Sequence, residues 1–151
     1  MIAHYKCTEP QMRRRLKHDL LISSYDKKRI MHLLRNRDAS SEVREELDDL
    51  TWEIQRGAEV RPQEVPPDVV TMNSSVRVSD LVTSKSEVIT IVFPSDANYE
   101  EGKVSILAPL GTALLGYRVG DVVYWHVPRG IRQLRIDEIL YQPEAAGHYH
   151  L

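Results

Sequence analysis

The 151 residues, 42% hydrophobic and 28% charged, have the composition of a globular chain long enough for one core, or for a small domain with an appended element. No apolar run approaches the roughly 20 residues of a membrane-spanning helix. The basic N-terminus lacks the apolar segment of a signal peptide, and the single cysteine, Cys7, excludes an intramolecular disulfide and a cysteine-based zinc site. A soluble cytoplasmic protein without a cofactor is expected. The net charge of −2 hides a segregation: residues 1–37 carry ten Lys/Arg against Glu9, Asp19 and Asp26, and the remainder carries ten against nineteen acids. A basic segment of this kind suits nucleic acid or an acidic partner surface.

Residues 1–19 show no periodicity and contain Pro10 and Arg13-Arg14-Arg15, which reads as a basic, disordered arm. Met12 makes as much sense as a start as Met1. Leu20-Leu21-Ile22 is a short strand or a lid over the next element. A helix is predicted from Ser23 or Ser24, either of which can cap it, to about Asn36, with Ile30, Leu33, Leu34 and Met31 on its apolar side. After a tight connection, a second helix is predicted from Ser40 or Ser41 to Arg56, with Gly57 as its left-handed stop. Its Val43, Leu47, Leu50 and Ile54 repeat at a/d spacing, and Glu42, Glu45 and Glu46 suit its N-terminal end. Residues 20–57 thus form a short antiparallel helical hairpin, a coiled coil with a second helix of about 24 Å. Trp52, just off the seam, is expected to pack the hairpin against the rest.

Residues 58–67, with Pro62, Pro66 and Pro67, read as a patternless stiff linker and the domain boundary. From Asp68 the pattern is that of strands: Val69-Val70, Val76 to Val78, Val88 to Phe93, then Val104 to Leu107. Pro109 suits the first position of a short helix ended by Gly116, and Val122–Val127 with Ile131–Tyr141 form a long hairpin. The fold class is α+β, an antiparallel sheet with one short helix over residues 68–151.

The segment Val104-Ser105-Ile106-Leu107-Ala108-Pro109-Leu110-Gly111-Thr112-Ala113-Leu114-Leu115-Gly116-Tyr117-Arg118-Val119-Gly120-Asp121 resembles the C-terminal signature of the Gre-factor family. That signature has an Ile-Ser-x-x-Ser-Pro strand end, an Ala-Leu-(Leu/Ile)-Gly helix end and a Gly-Asp turn. Asp68 to Ser74 and Tyr141 to Gly147 are similar to the Rnk branch of that family, the regulators of nucleoside diphosphate kinase. The resemblance runs from about Leu20 to Leu151 and is weak over the hairpin. It implies an FKBP-like fold for residues 68–151, a globular domain that docks at the rim of the RNA polymerase secondary channel, and a hairpin that enters it. In Gre factors two acids at the hairpin tip help hold a catalytic magnesium. In the Rnk branch the hairpin is shorter and competition with Gre factors is implied instead.

Mapped onto this chain, the motif offers Ser105, Leu107, Ala108 and Pro109 as the polymerase-docking loop, with Ala108 in place of the usual Ser and Leu107 where an acid is common. The same residues could simply pack a sheet-to-helix corner. Asp38, Glu42 and Glu45 are the hairpin-tip acids. Carboxylates there could approach magnesium, but dipole and capping arguments place such acids there anyway, and Asp38 and Glu42 stand four apart where the family motif has three. Arg13, Arg14, Arg15, Lys27, Lys28 and Arg29 could contact RNA, DNA or polymerase, or neutralise the acidic second helix. His126, His148 and His150 fall far short of a zinc motif. One Phe and scattered aromatics do not line a prolyl isomerase pocket, and fold alone does not carry that activity.

The expected function is transcription-elongation regulation by a monomer that binds RNA polymerase, touches nucleic acid only indirectly and does not cleave RNA. The rivals are an active Gre-like cleavage factor and an adaptor acting on nucleoside diphosphate kinase.

Overall fold

The computed structural model describes residues 20–36, 41–127 and 130–151. The basic arm, the hairpin connection and the turn at 128–129 lie outside the described residues. Strand β1 (Leu21–Ser23) leads directly into helix α1 (Ser24–Arg35). Ser23 is extended and its Oγ accepts from the Asp26 amide at 3.0 Å, one of the orphan donors of a helix start. Helix α2 (Ser41–Arg56) comes next, then strand β2 (Ala58–Val60). β1 and β2 pair in parallel, Leu21 opposite Ala58 and Ser23 opposite Val60, so the two ends of the hairpin are tied together.

Gly57 ends α2 for a different reason from the one expected. It is not among the residues with positive φ. A Cβ there would lie 2.6 Å from the Leu20 carbonyl oxygen, which accepts the Ala58 amide at 2.8 Å. Close approach of two backbones demands the glycine.

Ile30 and Met31 of α1 and Leu50 and Ile54 of α2 are buried, with Leu33 and Leu34 packed alongside. The side chains of Val43 and Leu47 lie outside the described set. Trp52 is a correction: it is 49% exposed, with the Arg56 guanidinium 4.4 Å from its ring centre. At i, i+4 the two residues share the outer face of α2, so Trp52 is not the wedge between hairpin and sheet.

The linker is patterned where none was expected. It holds β2, a 3₁₀ turn at Pro62–Glu64 and the buried Val65. Gln142, itself buried, donates to the carbonyls of Pro66 and Val69 at 2.8 and 2.7 Å, pinning the linker to the tail.

Among the described residues the main sheet has the order β5-β4-β3-β7-β6, with β3 Ser75–Asp80, β4 Ser86–Val92, β5 Lys103–Ser105, β6 Val122–Val127 and β7 Gly130–Tyr141. Three of its pairings are antiparallel, but β4 and β5 run parallel, against the expectation of a wholly antiparallel sheet. The chain between them crosses over through two 3₁₀ turns, Pro94–Asp96 and Tyr99–Glu101. Val69-Val70 is not a strand either. Val69 makes an isolated bridge with Arg118, and Val70 exchanges backbone hydrogen bonds with Tyr117 and Gly116.

Strand alternation sends Val76, Val78, Ile89, Ile91, Leu134 and Ile136 inward, as a period of two requires. The outer face is polar and paired, with Arg77 to Glu138, Ser79 to Asp137, and Ser75 to Thr90 at 2.7 Å. Short helix α3 (Pro109–Leu114) buries Ala113 and Leu114. These residues form one cluster with Ile22, Ile30, Leu50 and Ile54, so the core runs without a break from sheet to hairpin.

Candidate functional site

The loop from Ser105 to Pro109 joins β5 to α3 and is held on several sides. The Ile106 amide donates to the Val92 carbonyl at 2.8 Å and the Ala108 amide to the Ser105 carbonyl at 3.0 Å. The Ser105 Oγ accepts from the Leu107 amide at 3.1 Å, and the Thr112 hydroxyl donates to the Ile106 carbonyl at 2.8 Å. Ala108 is the N-cap residue and offers no side-chain cap, a consequence of the missing Ser hydroxyl. Leu107, Ala108 and Leu110 are partly buried against the core, while Pro109 is exposed. The loop therefore presents the pyrrolidine ring on a corner that its own backbone hydrogen bonds stiffen.

Gly111 decides whether this corner can form. A Cβ there would fall inside contact distance of the Ser105 carbonyl oxygen, and 3.0 and 3.1 Å from the Ser105 carbonyl carbon and the Ile106 Cα. The glycine lets α3 lie directly on the loop. At the other end of α3, a side chain on Gly116 would meet Leu20 at 2.5 Å, so the chain entering the hairpin rests on the helix that carries the loop.

Asp38, Arg13, Arg14 and Arg15 lie outside the described residues. Glu42 and Glu45 belong to the first turns of α2, next to the hairpin connection. Lys28 is exposed, and Lys27 reaches Glu59 of β2 at 3.2 Å. Arg29 points into the molecule, onto Asp26. His148 accepts or donates at 2.6 Å with the Tyr141 hydroxyl and lies 6.1 Å from the His150 ring. No set of three His, Cys, Asp or Glu residues suited to a metal occurs among the described residues, and no helix there is long and apolar enough to cross a membrane.

The family model of the GreA/GreB transcription elongation factor C-terminal domain matches residues 65–141, the loop and α3 included. The chain belongs to the GreA/GreB family. It is similar to a protein of Escherichia coli strain K12 named "Regulator of nucleoside diphosphate kinase", 44% identical over 105 residues that cover 69% of this chain and 77% of that one. It is also similar to the transcription elongation factor GreA of Nautilia profundicola, 32% identical over 70% of this chain and 65% of that one. Among solved structures, a GreA/GreB elongation factor from Nitrosomonas europaea aligns with a TM-score of 0.69 at 40% identity, covering 82% of this chain and 98% of that one. The match supports the α+β arrangement of sheet and hairpin and a role in transcription regulation.

A second constellation in this GreA/GreB-family chain was not singled out from the sequence. Asp26, in the first turn of α1, is 1% exposed. Its carboxylate accepts from Arg29 at 2.6 Å and from the Met72 amide at 3.1 Å. The Arg29 guanidinium also donates to the Leu151 carbonyl at 2.8 Å, and it lies 4.0 and 4.7 Å from the ring centres of Tyr25 and Phe93. Among the described residues its buried Nε has no hydrogen-bond acceptor, and the aromatic faces supply what compensation it has. Nearby, the buried Glu144 accepts from the Thr71 hydroxyl at 2.8 Å, which is itself paired with Ser74 at 2.7 Å.

Burial raises the Asp26 carboxyl above its ordinary value, against the pull of Arg29 and the Met72 amide. Glu144 is raised as well, first by burial and further by the Asp26 charge. Both carboxyls are desolvated, and the charge of Arg29 acts against the effect of burial at each. The sequence signal was local and modest: a Ser-x-x-Asp start and an i, i+3 Asp–Arg pair on one helix. Met72, Phe93 and Leu151 are distant in sequence and could not be read from it.

Proposed function

We propose that this chain regulates transcription elongation by binding RNA polymerase at the rim of the secondary channel, where it competes with Gre cleavage factors without cleaving RNA. The loop Ser105, Leu107, Ala108 and Pro109 is the docking element. The FKBP-like domain of residues 68–151 carries it, and the hairpin of residues 20–57, a short coiled coil held by the linker at 58–67, enters the channel. The protein acts as a monomer in the cytoplasm. The observation that carries the reading is the length of the hairpin. The 16 residues of α2 rise only about 24 Å, short for bringing Asp38, Glu42 or Glu45 to a catalytic metal at the far end of a channel. A hairpin of that reach fills the entrance rather than serving the chemistry. Lys28 and the basic arm give the approach to polymerase an electrostatic component.

The test is a pull-down with purified core polymerase, repeated with Pro109→Asp. The exposed ring at the corner is replaced by a charge that the fold tolerates at a helix start. Wild type is expected to be retained and the variant to lose about tenfold or more in affinity, the effect of an unpaired charge desolvated at an interface. No retention of wild type contradicts the reading. Equal retention of both contradicts the assignment of the loop.

The relative named a regulator of nucleoside diphosphate kinase keeps a second reading open to experiment, an adaptor that binds that enzyme directly. Heat released on mixing the two purified proteins in a calorimeter would favour it over polymerase binding.

A further inference from the structure

The hairpin meets the sheet domain through two kinds of contact. One is apolar: Ile30, Met31, Leu50 and Ile54 share a core with Met72, Val76 and Ile91. Apolar burial is non-directional, so it holds a helix down without fixing where the helix points. The other contact is directional. At the start of α1, the Asp26 carboxylate takes the Met72 amide at 3.1 Å. One turn further on, Arg29 is locked to Asp26 at 2.6 Å and to the Leu151 carbonyl at 2.8 Å, with its guanidinium against Tyr25 and Phe93. Two anchor points one turn apart on a helix define its axis.

Desolvating this group is costly for stability. Asp26 is buried and its carboxyl raised, Arg29 has a buried Nε with no acceptor among the described residues, and Glu144 adds a second buried acid. Buried ion pairs seldom stabilise more than an apolar replacement of the same volume, and their best-attested use is to specify one arrangement among several. The lever is long. With α2 rising about 24 Å, a tilt of about 15° at the base moves the tip by about 6 Å.

We propose that Asp26 and Arg29 are positioning residues whose buried pair, closed on the Met72 amide and the Leu151 carbonyl, sets the direction in which the hairpin leaves the sheet domain, and with it the ability to compete for the polymerase channel. The second half of this statement rests on the proposed competition with Gre factors. The first half does not.

The experiment uses the full chain with Cys7→Ser and spin labels at Asp48→Cys on α2 and Val88→Cys on β4, both exposed positions. Double electron–electron resonance reads the hairpin-to-sheet distance, and the same proteins are assayed for polymerase retention and for competition with a Gre factor. The parent should give one narrow distance. Asp26→Leu, which fills the space and removes the hydrogen bonds from Arg29 and the Met72 amide, should broaden it. Asp26→Asn keeps one acceptor oxygen, for Met72 or for Arg29 but not for both, and should broaden it less than Asp26→Leu. If the hairpin points correctly in only about a tenth of Asp26→Leu molecules, competition falls about tenfold while retention through the docking loop stays within about threefold.

A narrow, unmoved distance in Asp26→Leu overturns the proposal, as does a parallel loss of retention and competition. Should Asp26→Leu unfold, Arg29→Met gives the same readouts with the Met72 amide still paired. If the parent never binds polymerase, the proposed channel function fails, and the distance measurement alone still decides whether Asp26 and Arg29 aim the hairpin.

Discussion

Gly111→Ala is expected to lose about 2 kcal/mol of stability and to abolish polymerase retention. Two effects of opposite sign meet at this position. In a helix, Ala is favoured over Gly by about 0.5–1 kcal/mol, so a free helical site would gain. Here the new methyl group would run into the Ser105 carbonyl, with the Ser105 carbonyl carbon and the Ile106 Cα also at 3.0 and 3.1 Å. Those neighbours are backbone, held by the Ala108 amide at 3.0 Å and the Thr112 hydroxyl at 2.8 Å, and cannot move aside as a flexible side chain would. Forced overpacking of this kind costs about 1–3 kcal/mol, so the clash wins. Relief requires α3 and the Ser105–Pro109 loop to separate, which displaces the corner proposed for docking. Urea denaturation monitored by circular dichroism measures the stability loss, and a pull-down with core polymerase measures the docking loss. A variant as stable as wild type would mean that the loop does not sit directly on α3.

Ile30→Ala should cost about 3 kcal/mol, within the range of about 2–5 kcal/mol for truncating a buried Ile. Ile30 of α1 is fully buried in a cluster that includes residues of β3, β4 and β7. For a chain of this size about 1 kcal/mol lowers Tm by about 2–4 °C, so a drop of about 6–12 °C is expected. The sharper part of the expectation concerns cooperativity. Because the core is continuous between hairpin and sheet, helical signal at 222 nm and the near-ultraviolet aromatic signal should fall together in wild type and variant alike. Separate transitions would show that the hairpin base folds on its own.

Much of the architecture is legible in the sequence because it is locally determined. Ser23 caps α1 and α2 stops at Arg56, both set by residues at the helix ends themselves. Strand alternation at Val76, Val78, Ile89 and Ile91 predicts the buried face. The misreadings share a cause. The parallel pairings β1–β2 and β4–β5 involve strands as short as three residues, too short for a periodic signal and dependent on partners far along the chain. Val69-Val70 reads as a strand by composition, yet its backbone pairs with Gly116, Tyr117 and Arg118 without joining the sheet. Trp52 reads as core by residue type and lies at the surface against Arg56, on the side of α2 away from the buried Leu50 and Ile54.

The candidate site divides in the same way. The loop proposed for docking is visible as a motif, whereas its dependence on Gly111 is a matter of tertiary contact. Arg29 reads as one cation among three in Lys27-Lys28-Arg29. Only the fold separates it from Lys28, by turning it onto Asp26, Tyr25 and Phe93. Gln142 and Glu144 look like ordinary tail residues and are buried because their polar ends meet the backbone of Pro66 and Val69 and the hydroxyl of Thr71.

The claim that this hairpin obstructs a channel rather than serving its chemistry is tested most directly in stalled elongation complexes carrying labelled nascent RNA. The chain is added alone at saturating concentration, and then titrated against a fixed amount of a Gre cleavage factor. Nascent RNA should keep its length with the chain alone, and Gre-stimulated shortening should decline as the chain is added. Shortened RNA produced by the chain alone, or Gre-stimulated cleavage indifferent to its presence, would contradict the account.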